Sequence, residues 1–343
     1  MLMNNSEYFN ILADVKKRIK STQYKAVLGA NKELIMLYWN IGNIIIENST
    51  WGNKFLENLA MDIKLEFPHV KGFSVRNLTY MKRFSQINPD FAIVQTVSAQ
   101  LTWSHNIMLI DKLKDPDQMA WYAKMAIQNG WSLNVMEHQI ALQLYQRQVT
   151  NKKIQNFDQV LSLPQSELAV QTMKDPYVFD FIEYRENLLE SEIEKALIKN
   201  ITNMLLELEI GFAFVGNQYH LEVAGEDFYL DLLFYHLKLR CYFVIELKTG
   251  KFIPEYAGKM NFYLSAVDDL VKSETDNPTI GLIMCRDKNK LIAEYALKDM
   301  TKPIGVSEYK FIQELPLEFE EILPSIKDIE TRITIKEESG GEE

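Results

Sequence analysis

Three charged residues stand in the least polar part of this 343-residue chain. Residues 228–248 read FYLDLLFYHLKLRCYFVIELK, two runs of strand formers that hold Asp231, Glu246 and Lys248. Strands this apolar are normally buried on both faces, where an uncompensated charge is costly. Two carboxylates and an ammonium there need a partner, and a hard divalent cation is the natural one. Side chains alternate along a strand, so Glu246 and Lys248 share a face while Phe243, Ile245 and Leu247 point the other way. A four-residue loop over 237–240 sets His236 opposite Cys241 and Asp231 opposite Glu246. Cross-strand Cβ atoms lie roughly 5 Å apart, so the two carboxylates can share one ion. A slip of one residue would destroy the arrangement.

The elements that must hold these residues follow from the pattern on either side. Residues 6–147 read as nearly all helix, with ADVKKRIK and ELIMLYWNIGNIII as separate first helices. Ser74 is placed as an N-cap, and Gly130 marks a turn between helices. Residues 151–176, polar and holding Pro164 and Pro176, read as a connector. A long helix is expected over about 183–209, then strands over 212–223, 228–236 and 241–248. A helix from Pro254 to about 271, a buried strand over 280–285 and a helix over 291–300 complete the order, an α/β layer with a mixed sheet. The expected domains are 1–150 helical, helix-turn-helix-like and serving targeting or interaction, 151–176 connector, 177–320 the α/β domain and 321–343 an extension with an acidic tail.

Composition narrows the class. A hydrophobic fraction of 47% with 24% charged residues is that of a globular protein. No apolar run approaches the roughly 20 residues of a membrane span, and the N-terminus lacks the layout of a signal peptide. Cys241 and Cys285 form neither a disulfide framework nor a zinc spacing. A cytoplasmic location and no membrane partner are expected. The net charge of −10 argues against a bulk polycationic DNA binder but leaves room for a local basic surface.

The helix before the sheet offers a further acid. Leu189, Ile193, Leu197, Ile201, Met204 and Leu208 form one apolar stripe, with Glu190 inside it and Glu194 at its edge. Two readings of Glu190 stay open: a site carboxylate, or an acid favoured by the helix dipole.

Together these elements resemble the PD-(D/E)XK nuclease superfamily, a restriction-endonuclease-like fold. Asp231 matches the acid of the second strand, Glu246-Leu247-Lys248 matches the (D/E)XK tripeptide, and Glu190 or Glu194 matches the first-helix acid. Leu230 stands where the motif has proline. Over nearly the whole chain, GFAFVGNQYHLEVAGEDFYLDLLFYH, VIELKTGKFIPEYAGKMNFYL and KPIGVSEY resemble the C-terminal domain of the bacterial YhcG family. YWNIGNII, GFSVRNLTYMKRF, QLTWSH and AIQNGWS resemble its helical N-terminal domain.

The resemblance implies phosphodiester hydrolysis with Mg²⁺ or Mn²⁺ held by Asp231, Glu246 and the Leu247 carbonyl. Lys248 and Glu190 would complete the catalytic set. Nucleic acid is the implied partner, DNA ahead of RNA. Lys251, Lys259 and Asn261 are candidate substrate contacts. So is a helix face bearing Arg76, Tyr80 and Arg83, within a stretch that lacks acids from Lys71 to Pro89. The solvated-face reading of these residues stands beside the functional one. Two other classes remain open: a nucleic-acid-binding module without catalysis, and an assembly protein whose helical half serves a second copy or another protein.

Overall fold

The computed structural model describes residues 5–48, 54–183, 185, 188–208 and 210–311; the expected acidic tail lies outside them. The chain divides into two units, residues 1–140 and 141–343.

The first unit is helical. Its elements are α1 (Asn5–Glu47), α2 (Phe55–Glu66), α3 (Val75–Ile87), α4 (Phe91–Thr96), α5 (Trp103–Lys112), α6 (Pro116–Asn129) and α7 (Leu133–Ala141). The two helices expected at the start are one helix of 43 residues. No proline interrupts it, and the glycines within weaken a helix without ending it. Local signals act as their chemistry dictates: the Ser74 hydroxyl accepts from Asn77 N at the start of α3, and Gly130 closes α6 at φ 61°. Ile35, Phe84, Val94, Ala99 and Ile110 form one core cluster. Tyr38, Ile45, Leu78 and Met81 form a second.

The second unit is a seven-stranded mixed sheet between two layers of helices. Its elements are β1 (Ile154–Gln155), α8 (Phe157–Val160), α9 (Gln165–Thr172), β2 (Tyr177–Phe179), α10 (Glu190–Lys199) and α11 (Ile201–Leu208). They continue with β3 (Phe212–Val223), β4 (Glu226–His236), β5 (Cys241–Lys251), α12 (Glu255–Leu270), β6 (Ile280–Asp287), α13 (Lys290–Leu297) and β7 (Ile304–Phe311). The strand order is β1-β7-β6-β5-β4-β3, with β2 also on β7. β3, β4 and β5 form an antiparallel meander, and β5, β6 and β7 run parallel.

Residues 151–176, expected as a connector, are built into this unit. β1 pairs with β7, and Phe157, Leu161, Ala169 and Met173 enter the core. Polar residues at the strand and helix ends masked those apolar anchors. The long helix expected over 183–209 begins at Glu190 and breaks at Asn200. β7 was not anticipated as a strand. Ile304, Val306 and Tyr309, all buried, show why it belongs in the sheet.

The apolar faces of β5 separate the layers. Phe243, Ile245 and Leu247 pack beneath α10 and α11, while Val244 packs beneath α12 with Met260, Leu264 and Val267. Gly281 on β6 admits Met260 where a Cβ would collide with its Cγ and Sδ. That close approach holds α12 against the sheet beside the charged end of β5.

Candidate active site

The β4–β5 register is the expected one from His236↔Cys241 to Leu232↔Ile245. One step further the ladder gives way to side chains. Leu247 N donates to Asp231 Oδ2 at 2.9 Å, and Asp231 N donates to Glu246 Oε1 at 3.4 Å. Asp231 and Glu246 are thus neighbours: the Asp231 carboxylate is held by the Leu247 amide, and the Glu246 carboxylate by the Asp231 amide. Across β4 the pairing also skips a position. Asn217↔Leu232 and Tyr219↔Leu230 are paired, but Gln218 and Asp231 between them are not. Gln218 has φ 43°, a left-handed conformation unusual for a residue with a side chain. Alternation resets there: Leu230 packs on the α12 side with Leu233, while Leu232 packs on the α10 side. Strict alternation, assumed from the sequence, misses this kink.

Lys248 stands among the acids. Its Nζ donates to the Leu247 carbonyl at 2.6 Å and to Glu190 Oε2 at 3.1 Å. It lies 3.5 Å from Glu246 Oε2 and 3.8 Å from Asp231 Oδ2. The Tyr256 ring lies 5.6 Å away, a cation–π contact. Lys259, from α12, reaches Glu246 Oε2 at 3.2 Å and lies over the Tyr263 ring at 4.9 Å.

Burial sets the electrostatics. Glu246 is 2% exposed. Burial, then repulsion from Asp231, pushes its pKa up against the pull of Lys259 and Lys248. For Lys248, burial pulls the pKa down, but Glu246, Asp231 and Glu190 together carry it above its ordinary value. Lys259 moves up too: burial opposes, and Glu246 and Tyr263 prevail. The cluster therefore favours the charged form of both ammonium groups, while burial beside Asp231 works against ionisation of Glu246.

The choice between Glu190 and Glu194 is visible. Glu190 opens α10, accepts from Thr249 N at 3.3 Å and faces Lys248. Glu194, one turn on, accepts from Asn217 and Gln218 at 3.2 and 2.7 Å. The stripe argument had Glu190 more buried than Glu194. Glu194 is the buried one, because Glu190 sits at the open first turn.

Other candidates lie apart from the cluster. Lys251 is exposed and paired with Asp287. Asn261 Oδ1 accepts from Lys302 N and Thr301 Oγ1, bracing a loop rather than facing Lys248. In the first unit, Arg83 is tied to Asp111 at 3.0 Å and to the Ile110 carbonyl. Tyr80 donates to Asp111 at 2.6 Å, with Arg76 and Arg83 each 5.7 Å from its ring centre. An acid distant in sequence thus neutralises part of a face that read as basic. Gln218 and Tyr256 were not anticipated.

Among the described residues, no three Asp, Glu, His or Cys side chains form a metal-binding group by themselves. The oxygens that face Lys248 are nonetheless hard donors, two carboxylates and a carbonyl among them, gathered around a cation. That chemistry suits Mg²⁺ or Mn²⁺.

A meander carrying an acid and an ELK tripeptide, followed by a helix and parallel strands, defines a PD-(D/E)XK nuclease fold. Residues 170–324 match the YhcG PDDEXK nuclease domain, and residues 14–147 match the DUF1016 N-terminal domain. The chain is 31% identical over 329 residues to "Putative nuclease YhcG" of Escherichia coli (strain K12), spanning 85% of this chain and 87% of that one. It belongs to the YhcG family. Among solved structures, a repair endonuclease from Pyrococcus abyssi matches at 14% identity and TM-score 0.25, over 38% of this chain and 49% of that one. An EndoMS-dsDNA2 complex matches at 15% and 0.26, over 38% and 48%. The chain thus spans about half the length of each, and matches this partial carry no weight for substrate or activity. Among the described residues, no helix is long and apolar enough to cross a membrane.

Proposed function

We propose that this nuclease-domain protein hydrolyses phosphodiester bonds in DNA with the help of a divalent cation. One observation carries the reading: the oxygens of Asp231, Glu246, Glu190 and Leu247 converge on a single cationic point, the Lys248 ammonium, at 2.6 to 3.8 Å. Asp231, Glu246 and the Leu247 carbonyl would hold the metal. When bound, such a cation neutralises charge on the scissile phosphate and acidifies a coordinated water.

The protein's own groups do the rest. The backbone amides of Leu247 and Asp231 fix the carboxylates of Asp231 and Glu246 before substrate arrives, so little reorganisation remains. Lys259 holds Glu246 from the α12 side and favours its ionised form. Lys248, held by Glu190 and the Leu247 carbonyl beside the Tyr256 ring, would place a positive charge where the phosphorus oxygens gain negative charge in the transition state. Glu190 anchors Lys248 and the backbone of Thr249. The helical first unit would contribute substrate contacts.

Purified protein, offered duplex DNA, single-stranded DNA and RNA with Mg²⁺, Mn²⁺ or EDTA, tests this. Cleavage of DNA that EDTA abolishes is expected, with Asp231→Asn and Glu246→Gln each lowering kcat by about 100-fold or more. Metal-independent cleavage, or folded variants that cut like wild type, would refute the proposal.

A further inference from the structure

The first half of α1 carries a charge pattern that the proposed catalytic chemistry does not use. Residues 13–30 are exposed at every described side chain, so this part of the helix projects without packing on its own unit. At 1.5 Å per residue it is an arm roughly 27 Å long. Residues 13–30 hold five basic residues and one acid, Asp14, in a chain whose net charge is −10. Among the described residues the arm carries one ion pair, Arg18 with Asp14. Lys16, Lys17, Arg18, Lys20 and Lys25 spread over roughly 200° of the helix circumference, while Leu12, Val15, Ile19 and Ala26 occupy a stripe roughly 60° wide, and the exposed Val27 and Leu28 lie outside it, among the cations.

We infer that this arm binds duplex DNA by lying in the major groove, its cations contacting phosphates on both walls; the inference rests on the nuclease reading. Charge complementarity selects a polyanion. Cations over more than half the circumference suit a groove with two charged walls, whereas one flat surface would engage only part of them. A helix about 10–12 Å across fits the roughly 12 Å major groove of B-form DNA, while the deep, narrow major groove of duplex RNA excludes it. A membrane surface would need a broader apolar face, typically with Trp, Phe or Leu, than this narrow stripe supplies. Pairing with a second copy along the stripe would set Lys16 and Arg18 at its flanks, like charges against like.

The test is binding of full-length protein to a fluorescein-labelled DNA duplex in EDTA, read by anisotropy across a potassium chloride series. The variant is Lys16→Gln, Lys17→Gln, Arg18→Gln, Lys20→Gln and Lys25→Gln combined; glutamine keeps the helix, and circular dichroism confirms it. With about 0.9 in log–log slope per phosphate contact, we expect affinity to fall at least about ten-fold and the salt slope to flatten by about three. Unchanged affinity and slope would overturn the inference. So would an equal loss on duplex RNA, a loss confined to phosphatidylserine vesicles, or a dimer that the variant dissolves. Lys248→Met separates the readings: cleavage retained in that variant sinks the nuclease proposal and leaves the arm's binding result standing.

Discussion

Replacing Lys248 by methionine removes the one cation that Glu190, Glu246 and Asp231 all face, at 3.1, 3.5 and 3.8 Å. At an effective dielectric near 20, each contact corresponds to about 4–5 kcal/mol of attraction. The sum overstates the loss, because removing the lysine also removes its desolvation cost and because Glu190 is partly exposed and screened. Breaking a buried charge cluster on one side typically costs about 3–5 kcal/mol, and we expect that here in EDTA. For a unit of this size, that is a fall in Tm of roughly 10 °C. Methionine keeps the stem volume, so the change is mainly electrostatic. Two carboxylates are then left near each other with only Lys259 opposite. At a hundred-fold excess over Kd, divalent metal stabilises the protein that binds it by about 3 kcal/mol, and this shift should be larger in the variant than in wild type. Thermal melts in EDTA and in millimolar Mg²⁺ or Mn²⁺ read this without any cleavage assay. Adding Glu246→Gln to the variant should remove the metal response. A Lys248→Met protein that melts like wild type in EDTA, or equal metal shifts in both, would refute the reasoning.

Two further predictions concern stability. His236 is buried, its Nδ1 accepts from Leu239 N, and burial lowers its pKa from 6.5 to about 4. Above pH 6.5 it is neutral whether folded or unfolded. As pH falls toward 4 the unfolded chain takes up a proton that the folded one resists, so stability drops by about 3 kcal/mol; urea titrations should show this slope shrink in His236→Gln. In the first unit, Gly42 meets α3 so closely that an added Cβ would overlap the Met81 carbonyl and the Ser85 hydroxyl. Gly42→Ala should therefore lose about 3 kcal/mol by urea titration, and a loss under about 1 kcal/mol would show that α1 and α3 can move apart.

The legible parts of this protein were those set by local pattern. Alternation and a four-residue loop placed Glu246, Lys248 and the His236↔Cys241 register. Serine and glycine chemistry placed the ends of α3 and α6. What stayed hidden depended on partners far away in sequence. Asp111 neutralises the face of Arg83 and Tyr80 from another helix. Lys259, expected as a substrate contact, reaches Glu246 from the helix layer instead. The core role of residues 157–173 appears only when β7 supplies the sheet they cover. The kink at Gln218 has no composition signal, since glutamine is not a residue that announces a positive φ.

That kink has a second effect, on how the protein behaves among its neighbours. β3 is an edge strand twelve residues long, a length at which exposed amides could recruit another chain. It is not straight enough to do so. A bulge between Phe214 and Gly216 and the left-handed Gln218 break its hydrogen-bonding rim into short pieces, and irregular edges of this kind disfavour strand addition. The distortion beside Asp231 is thus also a guard against edge-to-edge aggregation.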